Sequence, residues 1–263
     1  MIKIEDEIIE INKFPDSTLL LKQKPWGNWH NYQITIEWLY ENNEELVALI
    51  YLVKHLNSHG IKNIALFMPY IPNARQDRVK EEEDVFTLKH FADIINYLDF
   101  KQVQVLDPHS AVSEALINNI VVCSPEKYID KVIQKCSPDM LFFPDEGAMK
   151  RYSHMANKEY AFGIKRRDWA TGKIEGLDIA GCVDKIKDSR ILIIDDICSR
   201  GGTFYHSAKK LKELGAKEIY LYITHCENTI LEGELLTSGL VEKVYTTNSI
   251  FTKEHEKIEV FKL

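Results

Sequence analysis

Leu46, Leu49, Ile50, Val53 and Leu56 recur at the spacing that lines one face of a helix, and His59-Gly60 closes that pattern. A short apolar run at residues 63–67 follows and predicts a strand. Leu88, Phe91, Ala92, Ile95 and Leu98 give a second amphipathic helix behind a charged loop at residues 80–84, with Thr87 as its expected N-cap. Residues 102–106 read as the next strand. The alternation resumes after Ser124-Pro125: helix at 126–135, strand at 140–143, helix at 148–157, strand at 160–164. Residues 166–181 hold few core-forming side chains and predict a long loop. Strands at 190–194 and 218–224 flank a helix at 204–214 that Gly215 stops, and residues 242–245 add a short strand. Near the start, a turn leads into a strand at 18–21. Strands that alternate with helices predict an α/β fold of mostly parallel sheets flanked by helices. A break near 120–125 divides the chain into expected domains at 1–122 and 123–263.

The most pointed chemistry lies where the run 190–194 ends in Asp195-Asp196, followed by Ile197-Cys198-Ser199-Arg200-Gly201-Gly202-Thr203. An apolar β-branched run of this kind is a buried parallel strand, and open α/β sheets bind ligands at the carboxyl ends of such strands. Two adjacent carboxylates can accept from two neighbouring sugar hydroxyls. Gly201 and Gly202 let backbone approach a phosphate, and Thr203 is the expected cap of a helix whose free N–H groups favour an anion.

Composition narrows the partners. The chain has 263 residues, 45% of them hydrophobic, enough for two small α/β domains, and a net charge of −7 argues against a nucleic-acid or acidic-membrane binder. Its cations gather beside candidate motifs instead: Arg75 with Arg78, Lys150 with Arg151, and 165–167. The 5 cysteines show no C-x-x-C spacing, as expected of free thiols in a reducing cytosol. Residues 1–12 mix charge with isoleucine and lack the signal-peptide pattern, and no apolar run reaches bilayer-spanning length. A soluble cytoplasmic protein is the expectation.

The strand, acidic pair, Gly-Thr loop and helix resemble the diphosphate-binding loop of the type I phosphoribosyltransferase fold. Pro69-Tyr70-Ile71-Pro72-Asn73-Ala74-Arg75-Gln76-Asp77-Arg78, Leu106-Asp107-Pro108-His109, Pro144-Asp145-Glu146-Gly147-Ala148, Lys165-Arg166-Arg167 and Thr247-Asn248-Ser249-Ile250 then occur in the order and approximate spacing of ribose-phosphate diphosphokinases. The chain therefore resembles that family from about Phe14 to Leu263. The resemblance implies two phosphoribosyltransferase-like domains, an ATP-side one and one bearing the sugar-phosphate loop. It further implies a homo-oligomer, a dimer or larger, and Mg2+-dependent transfer of a diphosphoryl group from ATP to the C1 hydroxyl of a ribose 5-phosphate moiety.

Carried over by motif, Arg75, Gln76, Arg78 and His109 contact ATP, and His109 and Asp145 serve the metal. Lys165 and Arg167 are the catalytic cations of a mobile lid, and Asp195, Asp196, Ser199, Arg200, Gly201, Gly202 and Thr203 hold the sugar phosphate. Phe14 and Asp16 stand where the family clasps adenine, with Thr18 replacing a carboxylate. His90, His154, His206, His225 and His255 receive no role. The resemblance also expects a strand-helix unit before Phe14 and a further helix after Leu263. In the phosphate loop, Ser199, Arg200 and Gly201 replace the family's Asp, Thr and Ala, adding charge and room. Ribose 5-phosphate and a 5-substituted acceptor such as ADP-ribose both remain open. The alternative classes are a phosphoribosyltransferase and a non-catalytic partner of true synthetases.

Overall fold

The computed structural model describes residues 1–5, 7–22, 32–167 and 174–263 and divides the chain into two compact units, Met1–Ser124 and Pro125–Leu263. The first unit is built on parallel strands β5 (Ile34–Trp38), β6 (Ile64–Phe67), β7 (Gln102–Leu106) and β8 (Ile120–Cys123), adjacent in that order. Two short strands extend it: β1 (Ile2–Ile4) runs antiparallel to β5, and β2 (Glu7–Ile8) antiparallel to β1. A separate hairpin joins β3 (Glu10–Lys13) to β4 (Leu19–Lys22). Helices α1 (Glu44–Ser58), α2 (Thr87–Tyr97) and α3 (Ala111–Leu116) connect the parallel strands. On one sheet face Ile34, Ile36, Leu66, Val103 and Val105 join Leu49, Val53, Phe91 and Ile95 in a single buried cluster. Alternate positions on β5, Thr35 and Glu37, leave that core, as a half-covered strand requires. Thr87 is the first residue of α2, not its cap; Phe86 holds the cap position, and the Thr87 hydroxyl donates instead to Gln76 Oε1 at 2.8 Å.

The second unit carries a seven-stranded sheet ordered β11-β10-β9-β12-β13-β14-β15. Its strands are β9 (Met140–Phe143), β10 (Tyr160–Arg167), β11 (Ile174–Gly181), β12 (Arg190–Cys198), β13 (Glu218–Cys226), β14 (Lys243–Thr247) and β15 (Ile258–Phe261). All run parallel except β11, which lies antiparallel on β10. Helix α4 (Glu126–Cys136) opens the unit, α5 (Glu146–Tyr152) joins β9 to β10, and α6 (Gly202–Glu213) joins β12 to β13. From β9 the chain steps through α5 to β10 on one side, while β12 lies on the other side and α6 steps outward to β13. The order of strands thus reverses between β9 and β12. Right-handed crossovers in opposite directions place α5 and α6 on opposite faces, which leaves a crevice at the carboxyl ends of those two strands. Ile191, Ile193, Met140, Phe142, Ile219 and Leu221 form the buried core beneath it.

The expected loop at 166–181 is therefore corrected in part. Residues 174–181 form β11, paired with β10 from Ala161↔Gly181 to Arg167↔Ile174. An antiparallel edge strand can keep one face in water, so it shows none of the continuous apolar pattern that marked β9 and β12. Gly181, at φ 94°, ends the hairpin; an added Cβ would meet the Tyr160 carbonyl oxygen at 2.6 Å. Helix α5 also starts earlier and ends sooner than the predicted 148–157.

Candidate active site

In the second unit the strand reversal brings α5 and β12 together. Asp145 lies two residues past the end of β9 and caps α5, its Oδ1 accepting from the Ala148 N–H at 3.1 Å. Strand β12 continues through Cys198, so Asp195 and Asp196 lie within the strand rather than just past it. Asp196 is buried and its Oδ2 sits 3.2 Å from Arg151 Nη1; the same guanidinium donates to the Tyr152 hydroxyl at 2.7 Å. Asp195 accepts from the Asp196 N–H at 3.0 Å. Burial first, then the negative charges of Asp196 and Asp145, push the Asp195 carboxyl well above the usual range. Three carboxylates and one arginine from two elements thus share the crevice.

Past the acids, Gly201 adopts φ 81° and takes the cap position of α6 without a side-chain bond, so Thr203 is not the cap; the helix begins at Gly202. Only a residue free of a Cβ penalty enters this left-handed conformation cheaply, and the unpaired first N–H groups of α6 follow it directly. At Gly202 an added Cβ would meet nothing within 4 Å, so the approach to the helix start is open.

The loop is braced from the segment after β13. The Ser199 hydroxyl donates to Glu227 Oε2 at 2.9 Å, and Thr229 donates to the same oxygen at 3.1 Å. The Glu227 N–H donates to the Cys198 carbonyl at 2.8 Å. Arg200 Nη2 lies 3.1 Å from Glu232 Oε2 with both side chains well exposed. A Cβ on Gly233 would fall 1.9 Å from the Arg200 carbonyl oxygen.

In the first unit, residues 68–86 link β6 to α2 and carry the Arg-Gln-Asp-Arg run. Asp77 is buried, and its carboxylate accepts from Arg78 Nε at 2.8 Å and Nη2 at 3.1 Å and from the Ser110 hydroxyl at 2.7 Å. The Arg78 bonds first, then Ser110 and the nearby charges of Arg78 and His109, hold its pKa at about 2 against the cost of burial. His109 follows β7 two residues past Asp107, which turns the chain at φ 44°. Arg75 and Gln76 are exposed on the same loop. Phe14 and Asp16 sit in the turn between β3 and β4, where Asp16 accepts from both the Thr18 hydroxyl (2.7 Å) and N–H (3.0 Å); those bonds hold its pKa below the usual carboxylate value. The Asp16 carboxylate is thereby engaged in its own turn. Lys165 and Arg167 have their backbone in β10; their side chains, and residues 168–173 with Trp169, lie outside the described residues.

No family model matches the chain. Among curated proteins it is similar to the ribose-phosphate pyrophosphokinase of Thermococcus kodakarensis, 28% identical over 251 residues that cover 93% of this chain and 86% of that one. The enzyme of the same name from Pyrococcus abyssi is 28% identical over 96% of this chain and 87% of its own length. The chain is thus similar to the ribose-phosphate pyrophosphokinases over nearly its whole length. Among solved structures, the phosphoribosylpyrophosphate synthetase of Mycobacterium smegmatis superposes with a TM-score of 0.78 at 18% identity, covering 97% of this chain and 86% of that one, and so shares the fold. The pyrophosphokinase resemblance and the α/β fold expected from sequence are borne out.

Measured against that relationship, the structure gathers Asp145, Asp195 and Asp196 in one unit, and Arg78 and His109 around Asp77 in the other. Arg151 stands beside the Asp145 motif in sequence, and nothing in that placing marks it as the partner of Asp196. Ser110, Glu227 and Gly233 carried no signal, being common residue types outside every motif.

Proposed function

We propose that the protein transfers the β,γ-diphosphoryl group of ATP to the C1 hydroxyl of ribose 5-phosphate and releases AMP. The observation that carries this reading is the crevice of Asp145, Asp195, Asp196 and Arg151 beside the left-handed Gly201 and the open start of α6, in a chain whose relatives are named for that reaction. Asp195 and Asp196 accept from the sugar hydroxyls, and the N–H groups at the start of α6 bind the 5-phosphate. The first unit supplies the ATP side: Arg75, Gln76, Arg78 and His109 meet phosphates and base. Phe14 and Asp16 add adenine contacts by resemblance alone. Lys165 and Arg167 neutralise charge on the diphosphoryl group as the bond to AMP breaks, because such transfer depends on alignment and charge more than on covalent help. Resemblance also supports a cytoplasmic homo-oligomer.

The donor set suits Mg2+. Burial and two like charges destabilise Asp195 as a carboxylate, which a divalent cation would relieve. Mg2+ characteristically takes one or two carboxylates and fills its remaining positions with phosphates and water. Asp145 and Asp195 would hold it or its waters, with His109 serving the ATP phosphates. When bound it offsets negative charge on the phosphoryl oxygens.

Arg200 is drawn toward Glu232 at the surface, which supports a monoester acceptor over ADP-ribose, where that guanidinium would be needed at a second phosphate. Incubation with ATP, Mg2+ and either ribose 5-phosphate or ADP-ribose tests the reading. AMP should appear with ribose 5-phosphate and depend on Mg2+; release of AMP with neither acceptor rejects the function. Under the same assay Lys165→Ala and Arg167→Ala should lower kcat far more than they raise the KM for ATP.

A further inference from the structure

We infer that Ser110 is a positioning residue for the ATP site, acting through Asp77 on Arg78. The inference rests on the ATP reading of the first unit. Arg78 is well exposed, and a long side chain in water samples many rotamers unless something holds it. Asp77 holds it: the two parallel N–H···O bonds fix the guanidinium in the plane of the carboxylate. Asp77 is itself a neighbour of Arg78 in sequence, so its own orientation has to be set from elsewhere. Ser110 does this across the gap between two loops, donating its hydroxyl to the second carboxylate oxygen at 2.7 Å.

The same oxygen, Ser110 Oγ, accepts from the Val112 N–H at 3.2 Å and so caps α3. One hydroxyl therefore donates to the arginine-bearing loop after β6 and accepts from the helix that follows the His109 loop after β7. It ties the two loops together at their bases. His109 lies one residue before Ser110 and contributes to the field at Asp77, so fixing Ser110 also fixes the start of the His109 turn relative to Arg78. Pre-ordering these groups removes entropy that ATP would otherwise have to overcome on binding.

The test separates the strut from the helix cap. Ser110→Ala removes both bonds. Ser110→Asp keeps a capping oxygen but places a second carboxylate against Asp77. Ser110→Thr keeps donor and acceptor. With ribose 5-phosphate as acceptor, Ser110→Ala and Ser110→Asp should each raise the KM for ATP about tenfold, the effect of losing one hydrogen bond to a charged group. The KM for ribose 5-phosphate should stay unchanged, and Ser110→Thr should restore the ATP value. ATP binding measured by calorimetry, without acceptor, should weaken by the same factor. A Ser110→Asp enzyme with the wild-type KM and affinity for ATP would show that the hydroxyl only caps α3 and would overturn the inference, as would failure of Ser110→Thr to rescue. If the wild-type protein binds ATP but releases no AMP, the proposed reaction falls while the calorimetry still decides the role of Ser110. If it binds no ATP, both fall.

Discussion

Asp195 sits in surroundings that oppose a negative charge, so its substitution should separate stability from function. Its folded-state pKa lies above the ordinary value because of burial, Asp196 and Asp145. Stability from such a group is present at low pH and is lost as pH rises past the unfolded value near 3.8. Asp195→Asn removes that penalty, so the melting temperature at pH 7 should rise, by roughly 2–4 °C for each 1 kcal/mol gained. The KM for the acceptor should rise at the same time; a calorimetric scan beside a kinetic assay reads both. Asp77 has the opposite sign. Its folded value near 2 lies below the ordinary one, so its contribution is complete above about pH 4 and disappears as pH falls toward 2. Acid unfolding followed by circular dichroism should show wild type losing stability across that window, and Asp77→Asn losing less of it. The acids themselves were legible in the sequence, because two carboxylates after a buried run have few structural uses. Their partners were not: Arg151 and Ser110 reach Asp196 and Asp77 only after the chain has folded, and neither spacing nor composition encodes that meeting.

The strands β7 and β9 were predicted to the residue, since short apolar runs between turn signals define buried strands sharply. Helix starts were harder to read. At α6 the left-handed Gly201 sets the start, and hydroxyl-bearing Thr203 falls one turn position inside. Strand β11 escaped because an edge strand needs no continuous apolar face. Within α3, the buried Ser113 hydroxyl has no hydrogen-bond partner among the described residues. An unpaired buried hydroxyl costs about 1–3 kcal/mol, so Ser113→Ala should raise stability in urea titration, with the midpoint moving up and the slope unchanged. Gly233→Ala should do the reverse for the phosphate loop. Gly233 has φ −93°, an ordinary backbone, so the effect is steric: the new methyl group meets the Arg200 carbonyl. The acceptor KM should increase several-fold while ATP affinity, measured separately, stays as in wild type.

At the scale of the molecule, each unit buries its own hydrophobic cluster, one around Leu49, Leu66 and Val105 and the other around Ile193, Leu221 and Phe142. A cavity cut in one should be felt there first. Ile193→Ala, costing about 2–5 kcal/mol, should reduce amide-exchange protection in β9, β12 and β13 while the amides of β6 and β7 keep theirs. The α/β class was legible because strands and helices alternate through both halves of the sequence. The bracing of the phosphate loop was not, since Glu227 and Gly233 stand far along the chain from Ser199 and Arg200. That bracing has a bearing on descent. Where one backbone carbonyl occupies the space a side chain would need, the two stretches cannot drift independently: a lineage that enlarges residue 233 must first rebuild the turn at residue 200, and one that reshapes the turn is released from keeping glycine at 233. A change in what the loop accepts is then expected to come paired with a change at residue 233, which lies outside the motif by which the loop is recognised.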